Sequence, residues 1–112
     1  MRDDDGIRVR HMIEAAQTAL QFISGRIRSD LDTDRMLLFA VVRAVEIIGE
    51  AAGKVSAETQ TIHGEIPWNA IIGMRNRLVH AYFEVDTNIV WVAVTEEIPA
   101  LLSQLQALAA NK

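Results

Sequence analysis

Apolar residues recur at helical spacing along most of the 112-residue chain. Ile7, Met12, Ile13, Ala16, Leu20, Ile23 and Ile27 predict a first helix from about Asp5 to Ile27. The stretch "SDLDTD" that follows is dense in capping residues, so a second helix is expected from near Thr33 to about Lys54. Its core stripe reads Leu37, Leu38, Val41, Val45, Ile48 and Ala52, continuing to Val55. Ser56 can cap a short turn, and "HGEIP" breaks the chain again. Pro67 suits the first position of a helix continuing to about Val79. Asp86 or Thr87 caps a last helix running towards Ala110, which Pro99 should kink or briefly interrupt. No stretch of useful length alternates as a strand. The expected fold class is all-α, with residues 1–112 forming one domain.

Two of these helices carry more than one kind of face. The polar side of the second holds Arg43, Glu46, Glu50 and Lys54, where Glu50–Lys54 is an i,i+4 pair, yet Met36, Phe39 and Ile47 lie within it. Large apolar groups mixed with charges point to a second buried or interfacial face. Gly49, mid-helix, costs about 1 kcal/mol against alanine, which a close approach by another helix would explain. On the next long helix Trp68, Ile71, Ile72, Leu78 and Val79 make an apolar face with Arg75 in its middle. An arginine there either snorkels or pairs with Glu46 or Glu50, or waits desolvated for a phosphate.

Composition narrows the classes. Half the residues are hydrophobic and only 5% aromatic, which favours helix packing over aromatic-rich strands. With no cysteine, disulfides and thiolate metal sites are excluded. No His-x3-His or similar spacing suggests a metal site, and no cofactor is implied. The longest apolar runs are too short to span a membrane, and "MRDDDGIR" lacks the apolar stretch of a signal peptide, so a soluble cytoplasmic protein is expected. The net charge of −4 argues against a nucleic-acid binder held by bulk positive charge. Ten of the eleven basic residues lie at or before Arg77, so any phosphate-binding surface must be built locally from the first three quarters of the chain.

Reactive side chains gather in "RNRLVHAY", residues 75–82. His80 lies five residues after Arg75, about 140° round an ideal helix. The two can meet at one ligand only if the helix ends or loosens near Val79. Singly, His80 reads as a helix C-terminal cap and Tyr82 as a packing residue with a hydrogen-bonded hydroxyl. His11 and His63 join no constellation and read as surface residues.

Together, the Arg-x4-His spacing resembles the motif of the HEPN (higher eukaryotes and prokaryotes nucleotide-binding) superfamily, and the tyrosine two residues further on resembles the HepT toxins of HepT/MntA toxin–antitoxin systems. "RAVEIIGEAAGKVS", "IPWNAIIGMRNRLVHAYFEVD" and "IVWVAVTEEIPALL" extend the likeness over nearly the whole chain. The resemblance implies an antiparallel bundle of four to five helices that forms a homodimer, with two motif helices lining one cleft. It also implies a metal-independent endoribonuclease acting on tRNA or mRNA. In such a site Arg75 would hold phosphate oxygens, His80 would exchange protons, and Asn76 would orient the histidine or the phosphate. Tyr82 would accept AMP from a cognate MntA-like nucleotidyltransferase antitoxin, and Arg77 and Arg43 are candidate contacts to RNA or a partner. The alternative is a non-catalytic, nucleotide-binding module that serves a minimal nucleotidyltransferase. The intact Arg/His pair favours the nuclease and the overall acidity the module. A purely structural dimerisation domain leaves Arg75 unexplained.

Overall fold

The computed structural model describes residues 1–80 and 84–110, with His80 described through its backbone. Two long helices, α1 (Asp3–Ile23) and α3 (Arg35–Gly53), pack side by side. α1 stops short of the expected Ile27 because the chain turns at Gly25, whose φ of 74° is a left-handed conformation that glycine adopts without a Cβ clash. Ile27 is therefore exposed, as is Ile7, and the buried stripe of α1 is Val9, Met12, Ala15, Ala16 and Ala19. "SDLDTD" forms its own short turn, α2 (Asp30–Thr33). Asp34, one residue beyond the expected start, then caps α3 by accepting from the Leu37 amide at 3.0 Å.

Two polar ties fix the antiparallel course of this pair. At one end Arg26 reaches Asp34 at 3.4 Å. At the other, Asp5 is buried against the start of α4 (Ala57–Ile62). It accepts from the Ser56 amide at 2.8 Å, the Ser56 hydroxyl at 2.6 Å and the Thr59 hydroxyl at 2.7 Å. Burial alone would raise the Asp5 pKa, but these three bonds and nearby Arg2 outweigh it and hold the carboxyl below its ordinary value of 3.8. Ser56 caps α4 as expected, its hydroxyl also accepting from the Thr59 amide.

The motif stretch differs most from expectation. Pro67 precedes the helix as its cap, and the expected single helix to Val79 is broken at Gly73 into α5 (Trp68–Ile72) and α6 (Met74–Leu78). The chain then becomes extended. Val79–His80 (β1) pairs antiparallel with Glu84–Val85 (β2), in the register Val79↔Val85 and His80↔Glu84. Strands of two residues have no periodicity to read, so this ladder left no trace in the hydrophobic pattern. A bond from the Asp86 amide to the Leu78 carbonyl, 2.9 Å, closes its base.

Asp86 caps α7 (Thr87–Val92), accepting from the amides of Asn88 and Ile89, both at 3.1 Å. Thr87 donates to Asp32 at 2.7 Å, and Arg28 bonds both Asp32 at 2.7 Å and Asn88 at 3.0 Å. The Thr87 bond, then Arg28, holds the Asp32 carboxyl below its usual range, and the cluster ties α2 to the start of α7. The expected interruption at Pro99 takes the form of a π-helical turn, Ala93–Glu97, leading into α8 (Ile98–Ala110). A proline cannot donate to the carbonyl four residues back and clashes with it, and the wider turn before it absorbs both effects. α8 packs on α1. Val41, Val45, Ile48, Ile71, Leu78, Val90, Ile98 and Leu105 fill the common core. The architecture is all-α apart from the small ladder. Among the described residues no helix is long and apolar enough to cross a membrane.

Candidate functional site

Gly49 decides where the motif lies. A Cβ built there would stand 3.2 Å from the Ile71 carbonyl oxygen and 3.4 Å from that of Ile72, so α5 rests its backbone directly on α3. This is the close approach that a mid-helix glycine suggests. α6 follows after Gly73 and places Arg75 beside Glu46, one turn before Gly49 on α3. Arg75 Nε donates to Glu46 Oε2 at 2.9 Å. The pair stands in a cleft of about 280 Å³ walled by Phe39, Val42, Val79 and Val85.

Arg75 is not the desolvated residue in mid-face that continuous helical spacing predicts. Its side chain is 46% exposed, against 25% for Glu46. The break at Gly73 resets the helical phase and moves Arg75 to the edge of the apolar face, with Trp68, Ile71, Met74 and Leu78 buried beneath. Asn76 is exposed beside it. The helix ends at Leu78, which meets the condition for Arg75 and His80 to serve one ligand: the His80 backbone leaves along β1 instead of continuing round the helix. Tyr82 lies outside the described residues.

The remaining candidates lie elsewhere. Arg77 points to the other side, as its spacing predicts, and pairs with Glu97 at 3.2 Å. Arg43 pairs with Glu50 at 3.2 Å, two turns along α3, in place of the expected Glu50–Lys54 pair. It also lines an apolar groove between α1 and α3 with His11, Phe22 and Ile47. His63 is half-buried, and its carbonyl accepts from the Trp68 indole at 3.0 Å. Val85 forms part of the cleft wall without any sequence signal, because only the ladder brings it there.

Cations are paired in several places, while apolar groups stay open. Arg26, Arg28, Arg43, Arg75 and Arg77 are each paired with a carboxylate. Apolar groups are instead left open: Met36 is 84% and Phe39 54% exposed, with the Arg35 guanidinium 5.1 Å above the Phe39 ring. Phe39 walls the cleft, and Met36 lies one turn before it on α3, within the polar side where the sequence places a second face. The arrangement supplies a cation at an open, apolar-walled cleft, beside a strand end that carries a histidine.

The profile of the HepT-like family, described as "Ribonuclease HepT-like", matches residues 12–108. The probable ribonuclease HepT of Thermococcus cleftensis is 39% identical over 95 residues, covering 85% of this chain and 86% of that protein. A candidate RNase of Caldanaerobacter subterraneus subsp. tengcongensis is 34% identical over 100 residues, 89% of each chain. Another from Methanocaldococcus jannaschii is 30% identical over 95 residues, covering 85% of this chain and 87% of that one. No solved structure matches the chain.

Proposed function

Since the chain belongs to the HepT-like ribonuclease family, we propose that it is a metal-independent endoribonuclease whose working site is built from Arg75, His80 and Asn76. The single domain spans residues 1–112. In the reaction the 2′-hydroxyl of RNA attacks the adjacent phosphorus, the bond to the 5′-oxygen breaks, and a 2′,3′-cyclic phosphate and a 5′-hydroxyl result. His80 takes a proton from the 2′-hydroxyl or returns one to the leaving oxygen, since imidazole is the side chain suited to exchanging protons near neutral pH. Arg75 neutralises the charge growing on the phosphoryl oxygens. Asn76, at the next position, orients His80 or the phosphate. The observation that carries this reading is the half-exposed Arg75 in an open cleft, at the point where the helix gives way to the strand bearing His80.

The site is composite. Phe39, itself exposed, walls the cleft, and exposed Met36 lies one turn before it on α3. Covering them with a second copy would exclude water from Arg75 and bring two motif segments together, so the working form is a two-fold homodimer. Arg77 and Arg43, outside the cleft, contact RNA backbone or a protein partner after exchanging their carboxylates.

The chain acts as the toxin of a HepT/MntA-type pair in the cytoplasm. Its partner nucleotidyltransferase moves AMP from ATP to the Tyr82 hydroxyl: the phenol oxygen bonds the α-phosphorus and pyrophosphate leaves. The attached phosphate then competes for Arg75 and the nucleotide fills the cleft. Incubation of the purified protein with total tRNA in EDTA, beside His80→Ala, tests the nuclease reading. Cleavage by the wild type alone is expected. Equal cleavage by both refutes the assigned site, and none by either leaves the nucleotide-binding module as the better account.

A further inference from the structure

We propose that Glu46 is a positioning residue, which aims the Arg75 guanidinium at the scissile phosphate and stays paired with it through the reaction. The inference rests on the ribonuclease reading above. A guanidinium binds oxyanions along two edges, one including Nε–H and one formed by the two terminal nitrogens. Glu46 takes Nε at 2.9 Å, and among the described residues this is the only hydrogen bond the Arg75 guanidinium makes. The terminal fork is thereby left for a second oxyanion. Phosphate can bind to it bidentately without expelling the carboxylate.

The two partners differ in how firmly they are held, and that sets the direction of control. Glu46 is the more buried one, in the middle of the 19-residue α3, between the core residues Val45 and Ile48 and one turn from the Gly49 contact with α5. Arg75 stands on α6, only five residues long and bounded by the break at Gly73 and by β1. A flexible side chain on a short element is steered by a carboxylate on a long one. Because a phosphate must be met in the transition state within a fraction of an ångström, fixing this orientation beforehand accelerates the chemical step.

The competing role has the opposite sign. If Glu46 merely occupied Arg75 until RNA displaced it, removing Glu46 would free a cation and raise activity. The test is RNA cleavage by Glu46→Ala and Glu46→Gln, in the wild type and in an Arg75→Ala background. Glu46→Ala should lower kcat by roughly 10²-fold without raising KM, because the positive charge that draws the phosphate remains. Glu46→Gln keeps an acceptor for Nε–H and should recover most of the rate, since a neutral bond has about half the strength of a charged one. In Arg75→Ala the same change should cost nothing further. Cleavage by Glu46→Ala at or above the wild-type rate overturns the proposal, and so does an equal loss in both backgrounds, which would mark a purely structural role. A second measurement does not depend on activity: the Arg75 Nε–H NMR resonance during titration with a non-cleavable 2′-deoxy oligonucleotide. It should keep its hydrogen-bonded signature in the complex while the terminal nitrogens shift. Loss of that signature on binding, or no response at Arg75, overturns the proposal. If the wild type cleaves no RNA, the ribonuclease reading fails by itself and the resonance alone decides the role of Glu46.

Discussion

Replacing Asp5 tests whether a buried carboxylate holds the first helix to the fourth. Its three bonds, to the Ser56 amide, the Ser56 hydroxyl and the Thr59 hydroxyl, are all 2.8 Å or shorter. Hydrogen bonds to a charged group contribute about 1.5–3 kcal/mol each, and desolvating the carboxylate takes back several kcal/mol of their sum. Asp5→Ala removes both terms but leaves the Thr59 hydroxyl, on a buried residue, without its acceptor. A net loss of about 3 kcal/mol is expected, a large share of the roughly 5–15 kcal/mol that holds a domain together. Asp5→Asn keeps one acceptor oxygen and should lose about half as much. Urea unfolding at one fixed protein concentration measures this. With an m-value of about 1–3 kcal/mol/M, Asp5→Ala shifts the midpoint down by about 1–3 M. The acid side gives a second check. Since the folded-state pKa lies below the unfolded value of 3.8, the contribution is fully present above that value and is lost as pH falls through the lower folded one. The gap between wild type and Asp5→Asn should thus be constant near neutrality and close in strong acid. A gap under about 0.5 kcal/mol at neutral pH, as for an ordinary surface substitution, would refute the reasoning. A gap undiminished in strong acid would refute its electrostatic part.

Four further outcomes are expected. Sedimentation should show a dimer at micromolar concentration, and a lone 12.5 kDa species would count against the composite site. His80→Ala should cut RNA cleavage by roughly 10²–10⁴-fold and Arg75→Ala by about 10²–10³-fold, both proteins remaining folded and dimeric by circular dichroism and sedimentation. Co-expression with the cognate nucleotidyltransferase should add the mass of an adenylate that Tyr82→Phe cannot accept, and mass spectrometry that maps it to another residue would remove Tyr82 from the scheme. Gly49→Ala gains about 1 kcal/mol of helix propensity but forces a Cβ against the Ile71 carbonyl at 3.2 Å. With overpacking costing about 1–3 kcal/mol, it should be net destabilising by thermal melting and should also slow cleavage by pushing α5 and α6 off α3.

The long elements were legible because their causes are local. Asp34 and Asp86 cap the residues that follow them, Ser56 caps its turn, and Val41, Val45 and Ile48 repeat at helical spacing over the full length of α3. Gly49 also announced its contact, since a glycine in that position needs a reason. What stayed hidden depends on partners distant in sequence. Asp5 looks like one more acid in a first turn beside Asp3 and Asp4, and only Ser56 and Thr59, 51 and 54 residues away, explain why it is buried. The break at Gly73 hid for a different reason. The apolar pattern from Trp68 to Leu78 fits a continuous helix, and it is the packing of α5 on α3 and the pull of the β ladder that divide it. Within the site, Arg75 and a pairing with Glu46 or Glu50 could be anticipated, but neither the choice of Glu46 nor the exposure of Arg75 could, because both follow from that break and the packing on α3.

The change of backbone at Leu78–Val79 gives the interval between Arg75 and His80 an unequal sensitivity to length. Up to Leu78 the interval is helical, and an inserted residue would advance the chain by about 1.5 Å and turn everything beyond it by about 100°. After Val79 it is extended, and an insertion would advance the chain by about 3.3 Å and reverse the side on which each later residue projects. Neither displacement can undo the other. A deletion on the helical side cannot be compensated by an insertion on the strand side, even though the count of residues between the arginine and the histidine would be restored.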